Sequence, residues 1–137
     1  MAEAGAKPEL NILVVEDEAL VALMIEDMLG ELGCRVVGSA YNLRDALTMV
    51  GAGGLDGAIL DLNLGGESAY PVADALSADG VPFVFLTGYG AGGIDPRFAG
   101  APTIAKPFHP QALEKAVRHF ADTGRPSPSP GIDAGSS

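Results

Sequence analysis

Short apolar runs alternate along the chain with stretches in which apolar residues recur every three or four positions. The intervals between the runs are too long for hairpins, so the runs are predicted to be parallel strands separated by helices. Such an alternation is typical of a doubly wound α/β sheet, here of five strands in the common order 2-1-3-4-5. The predicted strands are residues 10–15, 36–40, 57–60, 81–86 and 103–105.

The helical intervals differ in regularity. The first helix is predicted to end at Gly33, and it carries apolar residues at i+4 spacing: Leu20, Met24, Met28 and Leu32. Asn42 can cap the second helix, Ser68 can cap the third, and Pro110 suits the first turn of the last one. The interval 88–102 holds five glycines and two prolines, so the fourth helix is expected to be short or irregular.

Length and composition predict one folded domain. The chain has 137 residues, of which 47% are hydrophobic, and this content excludes wholesale disorder. We expect a flexible N-terminus at 1–8, the domain at 9–121, and a disordered tail rich in Gly, Pro and Ser at 122–137.

Charge and apolar patterning argue against two classes of partner. The net charge of −10 disfavours nucleic acid, whose phosphate backbone needs a basic surface. No apolar run is long enough to cross a membrane, and residues 1–8 do not resemble a signal peptide. Cys34 is the single cysteine, which fits a reducing cytoplasm, and we expect the protein to be cytoplasmic.

Polar residues stand at the ends of four predicted strands. They are the pair Glu16-Asp17, Asp61, Thr87, and Lys106 with Pro107 after it. The carboxyl ends of parallel strands meet at one edge of the sheet, where ligands of such sheets bind. The sequence therefore predicts three acids, a hydroxyl and an ammonium in one site.

A cluster of three acids requires a cation. Mg²⁺, or Mn²⁺ in its place, suits carboxylate oxygens and commonly binds a phosphate at the same time. An aspartate such as Asp61 can act as a nucleophile that forms an aspartyl-phosphate, while Lys106 and Thr87 can contact phosphoryl oxygens. Each residue also has a simpler interpretation: acids favoured at a helix N-terminus, a threonine in a turn, a surface lysine.

At this point the chain resembles the receiver domain of two-component response regulators over residues 9–121. The matching motifs are VVEDE (14–18), LDLNL (60–64), FLTGY (85–89) and AKPF (105–108). The resemblance implies a flavodoxin-like fold and a signalling domain rather than an enzyme, although one that can catalyse its own phosphorylation and dephosphorylation.

The resemblance also implies roles for the site residues. Asp61 would be the phosphoacceptor, and Asp17 and Asp61 would bind Mg²⁺ directly. Glu16 would act mainly through water, and Asn63 would contribute its backbone carbonyl. The predicted switch residues, which hold and report the phosphoryl group, are Thr87, Tyr89, Lys106 and Pro107.

One position departs from the family. Receiver domains usually carry Tyr or Phe three residues before the lysine, as the aromatic half of the switch, and this chain has Thr103 there. Tyr89 is the candidate replacement; the alternative is a half-exposed loop tyrosine.

The implied partners are a sensor histidine kinase and a downstream protein or phosphotransfer protein, with phosphorylation-dependent homodimerisation as a further expectation. Two alternatives stay open. One is a pseudo-receiver that binds partners without phosphorylation. The other is a Mg²⁺-dependent phosphohydrolase of the haloacid dehalogenase type, which uses an aspartate nucleophile. In that family a D-x-D motif follows the first strand, whereas here Asp61-Leu62-Asn63 follows the third predicted strand.

Overall fold

A computed structural model describes residues 9–88, 94–98 and 100–123. Its main sheet has five parallel strands in the order β2-β1-β3-β6-β7. The strands of this sheet are β1 (Asn11–Val15), β2 (Arg35–Ala40), β3 (Gly57–Asp61), β6 (Phe83–Thr87) and β7 (Thr103–Ala105). Counted within the sheet alone, this order is 2-1-3-4-5, so the predicted doubly wound topology is confirmed.

Helices cover both faces of the sheet, and each face has its own apolar core. They are α1 (Ala19–Glu31), α2 (Leu43–Gly51), α3 (Tyr70–Ala78) and α4 (Pro110–Thr123). Alternate residues of β1 enter different cores: Leu13 packs with α2 and α3, whereas Ile12 packs with α1 and α4. Strands buried on both faces read as continuous apolar runs, which is why the sequence predicted them.

In the interval predicted to hold an irregular fourth helix, the described residues form one 3-10 turn, Pro96–Phe98. Residues 89–93 and 99 lie outside the described part of the chain, as do the predicted flexible N-terminus 1–8 and residues 124–137 of the predicted tail. α4 continues to Thr123, past the predicted end of the domain at 121. Its last buried apolar residue is Phe120, so the final turn extends beyond the part of the helix that packs against the core.

A short hairpin follows β3 and was not predicted as such. β4 (Asn63–Leu64) pairs antiparallel with β5 (Glu67–Ser68) around Gly65 and Gly66. Both glycines have positive φ, 62° and 96°, which a two-residue hairpin turn of this kind requires. α3 begins immediately afterwards with Ala69 as its cap residue, while the Ser68 hydroxyl accepts a hydrogen bond from the Tyr70 N–H.

α1 forms where predicted, but it buries a different face from the one that the i+4 apolar spacing indicates. Ala22, Ile25 and Leu29 are fully buried against the sheet, whereas Leu20 is 77% exposed and Met24 is 50% exposed. α2 begins as expected, because the Asn42 side chain accepts a hydrogen bond from the Asp45 N–H at 2.8 Å. Within the described residues, no helix combines the length and apolarity needed to span a bilayer.

Candidate functional site

The predicted acids meet at the carboxyl edge of the sheet. Glu16 and Asp17 follow β1, and Asp61 is the last residue of β3, the neighbouring strand, with Val15 in register with Leu60. One oxygen from each of the three carboxylates lies within 4.8 Å of the others. Glu16 is fully buried and Asp61 is 6% exposed, so their charges are poorly screened by solvent.

The Lys106 ammonium joins this cluster from the end of β7. Its Nζ is 2.8 Å from Asp61 Oδ2, 2.9 Å from Glu16 Oε1 and 4.0 Å from Glu18 Oε1. The Lys106 N–H donates a hydrogen bond of 2.9 Å to the Thr87 carbonyl, which fixes the lysine backbone against the end of β6. The lysine therefore lies between the two buried carboxylates.

Backbone amides set the direction of both buried carboxylates. Asp61 Oδ1 accepts a hydrogen bond from the Asn63 N–H at 3.0 Å, and Glu16 Oε2 accepts one from the Glu18 N–H at 3.0 Å. The Asn63 side chain in turn accepts from the Gly66 N–H at 2.7 Å, which ties the β4–β5 turn to the site. Each acid is thus oriented by the residue two positions after it.

Burial changes the protonation of the site. It raises the pKa of Glu16 from 4.5 to about 7; the Lys106 ammonium and the Glu18 amide lower this pKa, and the Asp61 carboxylate raises it further. For Lys106, burial acts to lower the pKa, but the Asp61 and Glu16 carboxylates outweigh it and the net shift is upward. The lysine stays charged at neutral pH, whereas Glu16 titrates near neutrality.

The site has the donor set that a hard divalent cation needs. Three carboxylates face one ammonium, which leaves negative charge uncompensated. Lys106 Nζ lies close to the buried Glu16 Oε1, but among the residues that the structure describes no donor reaches this oxygen with hydrogen-bond geometry. Carboxylate oxygens in this number fit Mg²⁺ or Mn²⁺, with Asp17 and Asp61 as the candidate direct ligands.

The remaining predicted residues fall as follows. Thr87 ends β6 and is buried beside the cluster, and the peptide bond between Lys106 and Pro107 is cis. Asn63 follows Asp61 in the hairpin, and its carbonyl remains a predicted ligand. Tyr89 lies outside the described residues, so its switch role stays a prediction.

A second group of contacts, between α3 and the 3-10 turn, was missed by sequence reasoning. Tyr70, at the start of α3, is stacked on Phe98 of the 3-10 turn, with ring centroids 5.4 Å apart. Arg97 of the same turn pairs with Asp74 of α3. Contacts between residues so distant in sequence produce no local periodicity, so no pattern in the sequence could have predicted them.

A doubly wound sheet with an acid cluster, a lysine and a buried hydroxyl at its carboxyl edge defines a domain whose candidate site is centred on an aspartate and has the ligand set that suits a hard cation. The family model of the response regulator receiver domain matches residues 12–118. The chain therefore belongs to the response regulator receiver family, whose members are signalling domains of two-component systems.

Individual relatives agree with this assignment. The chain is 34% identical over 123 residues to the phyllosphere-induced regulator PhyR of Methylorubrum extorquens, covering 84% of this chain and 45% of PhyR. The solution structure of SdrG from Sphingomonas melonis Fr1 has a TM-score of 0.75 at 44% identity and covers 85% of this chain and 99% of SdrG. A second structure, the BeF3-activated conformation of SdrG, has a TM-score of 0.69 at 46% identity and covers 82% and 97%.

The curated relatives are longer than the match. The chain spans 45% to 62% of their lengths, so the similarity concerns the receiver domain and not the whole of those proteins.

Proposed function

We propose that this chain accepts a phosphoryl group on Asp61 and that the phosphorylated form controls a partner protein. The observation that carries the proposal is the position of Asp61: its Oδ2 lies 2.8 Å from Lys106 Nζ, within an acid cluster that fits a divalent cation. A carboxylate in this setting is a nucleophile whose product can be neutralised on several sides.

A phosphohistidine of the donor protein can supply the phosphoryl group. An Asp61 carboxylate oxygen forms a bond to phosphorus, the phosphorus–nitrogen bond of the donor breaks, and the imidazole leaves with its electron pair and takes up a proton. The Asn63 N–H holds the other carboxylate oxygen, which keeps Asp61 oriented. Lys106 offers its ammonium and Thr87 its hydroxyl to the phosphoryl oxygens. Asp17 and Asp61, with the Asn63 carbonyl and with Glu16 through water, would hold a Mg²⁺ ion, which would supply further positive charge near the phosphoryl group.

The proposed donor is a sensor histidine kinase, and the proposed output is protein binding in the cytoplasm. Two of the similar solved structures are of the anti-anti-sigma factor PhyR from Bartonella quintana, which supports a protein rather than nucleic acid as the partner. The net charge of −10 supports the same choice. Phosphorylation-dependent homodimerisation is a further proposal, which the mass of the phosphorylated chain in solution tests.

The test is the intact mass of the chain after incubation with Mg²⁺ and acetyl phosphate. We expect one added phosphoryl group in wild type and in Asp79→Asn, a matched change at an exposed aspartate, and none in Asp61→Asn. A phosphorylated Asp61→Asn chain would refute the assignment of the site. Wild type that stays unmodified with acetyl phosphate and with a phosphorylated kinase would favour the pseudo-receiver. Continuous release of phosphate from a simple monoester would instead favour a phosphohydrolase.

A further inference from the structure

Glu18 is a fourth carboxylate at the Asp61 site, and the proposed transfer step gives it no role. Its Oε1 lies 4.0 Å from Lys106 Nζ, the same nitrogen that contacts Asp61 Oδ2 at 2.8 Å. The Glu18 side chain is 67% exposed, whereas that of Lys106 is 23% exposed and Asp61 is buried. The Glu18 carboxylate therefore lies on the solvent side of the lysine, at the mouth of the site.

The local backbone places Glu18 there without using its side chain. Glu18 is the N-cap residue of α1, with an extended backbone at φ −91° and ψ 112°, and its side chain makes no capping hydrogen bond to the helix. The Glu18 N–H donates a hydrogen bond of 3.0 Å to Glu16 Oε2, which ties this residue to the buried acid. An N-cap side chain usually accepts a hydrogen bond from the first helical turn. The Glu18 carboxylate makes no such bond and lies toward Lys106.

The charge of Glu18 is poorly compensated. Lys106 Nζ lies closer to Asp61 and to Glu16, at 2.8 Å and 2.9 Å, than to Glu18. Asp17 brings a further carboxylate into the same cluster. Among the residues that the structure describes, Lys106 is the one cation within 4.0 Å of Glu18. Negative charge therefore remains at the mouth of the site.

This charge is close enough to act on an incoming phosphoryl group. Glu18 Oε1 and Asp61 Oδ2 both contact the same ammonium, so they lie within about 7 Å of each other, which is shorter than the roughly 8 Å screening length of physiological salt. A phosphoryl group that approaches Asp61 is therefore repelled by Glu18 before salt screens the interaction. Because the Coulomb energy is proportional to charge, a dianionic donor is repelled about twice as strongly as a monoanionic one.

We propose that Glu18 determines which phosphodonors react with Asp61: its carboxylate disfavours donors whose phosphoryl group is a bare dianion and favours donors that bring a positive charge beside it. This inference rests on the proposed function and names the substrate class of the same site. A donor protein meets the requirement with a basic side chain next to its phosphohistidine, which can pair with Glu18. A free acyl phosphate has no such group, so the chain responds less to it than to a protein donor.

Two small phosphodonors of different charge provide the test. Near neutral pH acetyl phosphate is a dianion, whereas phosphoramidate is mainly a monoanion because its nitrogen is protonated. With either donor an Asp61 carboxylate oxygen forms the bond to phosphorus. The phosphorus–oxygen bond of acetyl phosphate breaks and acetate leaves with the electron pair; the phosphorus–nitrogen bond of phosphoramidate breaks and ammonia leaves with it. The ratio of the variant rate to the wild-type rate, taken for each donor, cancels the difference in leaving group.

The measurement is the time course of intact mass for wild type and Glu18→Gln, with Mg²⁺ saturating and the donor below saturation. At an ionic strength of about 0.02 M we expect Glu18→Gln to react about fivefold faster with acetyl phosphate and about twofold faster with phosphoramidate. At about 0.5 M the gain with acetyl phosphate should fall below about twofold, because salt screens the charge. The control Glu31→Gln, at the other end of α1, changes the net charge equally at an exposed position and should leave both rates unchanged.

The outcomes separate this inference from the proposed function. Phosphorylation of Asp61 at the same rate in Glu18→Gln and Glu31→Gln would overturn the role of Glu18 and leave the proposed function standing. Equal acceleration with both donors that persists at high salt would show that Glu18 acts through structure and not through its charge, which would also overturn the inference. Absence of the phosphoryl group in every variant, with both donors and with a phosphorylated kinase, would overturn the function and the inference together.

Discussion

Replacing Lys106 with Met tests the electrostatic description of the site most directly. Met keeps most of the aliphatic stem and has no charge, so Glu16 and Asp61 lose the ammonium between them. In the metal-free chain at pH 8 the two buried carboxylates and Asp17 then face one another without a cation. We expect a large loss of stability under those conditions.

The magnitude follows from the distances. At 2.8 Å and 2.9 Å, and at an effective dielectric constant of 20, each ion pair is worth about 6 kcal/mol before desolvation. Desolvation of the ammonium offsets much of this attraction, and Glu16 can relieve the repulsion by taking up a proton. The net loss in the free energy of unfolding is therefore expected to be about 3–5 kcal/mol, the usual range for removing one partner of a buried pair.

Urea unfolding followed by circular dichroism measures this loss, with Lys115→Met as the matched control. Lys115 is an exposed residue of α4, so its replacement is expected to change stability by less than about 0.5 kcal/mol. Saturating Mg²⁺ should recover part of the loss, because the cation supplies the missing positive charge. Lowering the pH from 8 to 6 should recover part as well, because Glu16 becomes protonated.

Two results would contradict the reasoning. One is a Lys106→Met chain as stable in metal-free buffer at pH 8 as Lys115→Met. The other is a stability deficit that neither Mg²⁺ nor acidification reduces, which would show that the lysine contributes through packing of its aliphatic stem and not through its charge.

Three further predictions use other parts of the structure. A Cβ at Gly57 would lie 2.5–2.8 Å from ring carbons of the buried Phe120, so Gly57→Ala should lower the free energy of unfolding, measured in urea, by about 1–3 kcal/mol. The control is Gly51→Ala, at a helical position with open space around it, which should stabilise the chain by about 0.5–1 kcal/mol. Equal changes in stability for the two variants would refute the clash at Gly57. Asn42→Ala removes the cap of α2 and should cost about 1 kcal/mol, with Asn42→Asp as the control that retains it. The pKa of Glu16 is about 7 in the folded chain against 4.5 ordinarily, so the folded state binds this proton more tightly than the unfolded state. The free energy of unfolding of the metal-free chain should therefore fall by at most about 3 kcal/mol as the pH rises from 4.5 through 7. A flat profile in metal-free buffer, or a slope that survives in Glu16→Gln, would contradict this prediction.

The centre of the sheet could be predicted because β1, β3 and β6 are nearly continuous apolar runs, and the boundary of β6 moved where local chemistry intervened. β6 begins at Phe83 and not at 81, since the Val81 N–H donates to the Leu76 carbonyl at the end of α3 and Pro82 has no N–H to give. The site residues followed from the topology alone, because parallel strands bring their carboxyl ends to one edge.

Periodicity could not choose the buried face of α1. Apolar residues occur on more than one side of this helix, so the i+4 set containing Leu20 and Met24 competes with the set containing Ile25 and Leu29. The choice depends on which side faces Ile12 and Val14 of the sheet, which no local window contains. The same limit applies to residues 94–98, where Arg97 pairs with Asp74, 23 residues away.

The absence of an aromatic residue at 103 and the burial of Phe98 have a common physical basis. β7 is a short edge strand, and Thr103 is exposed on it, so an aromatic ring there would have one packed side and one solvated side. Phe98 instead lies against two rings of β6 and under Tyr70, inside the core that Thr87 adjoins. A ring with neighbours on several sides responds to small displacements, because packed interiors lose contacts over a fraction of an ångström. The aromatic packing on the Thr87 face of β6 therefore lies between Phe83, Phe85, Phe98 and Tyr70, and not on the edge strand.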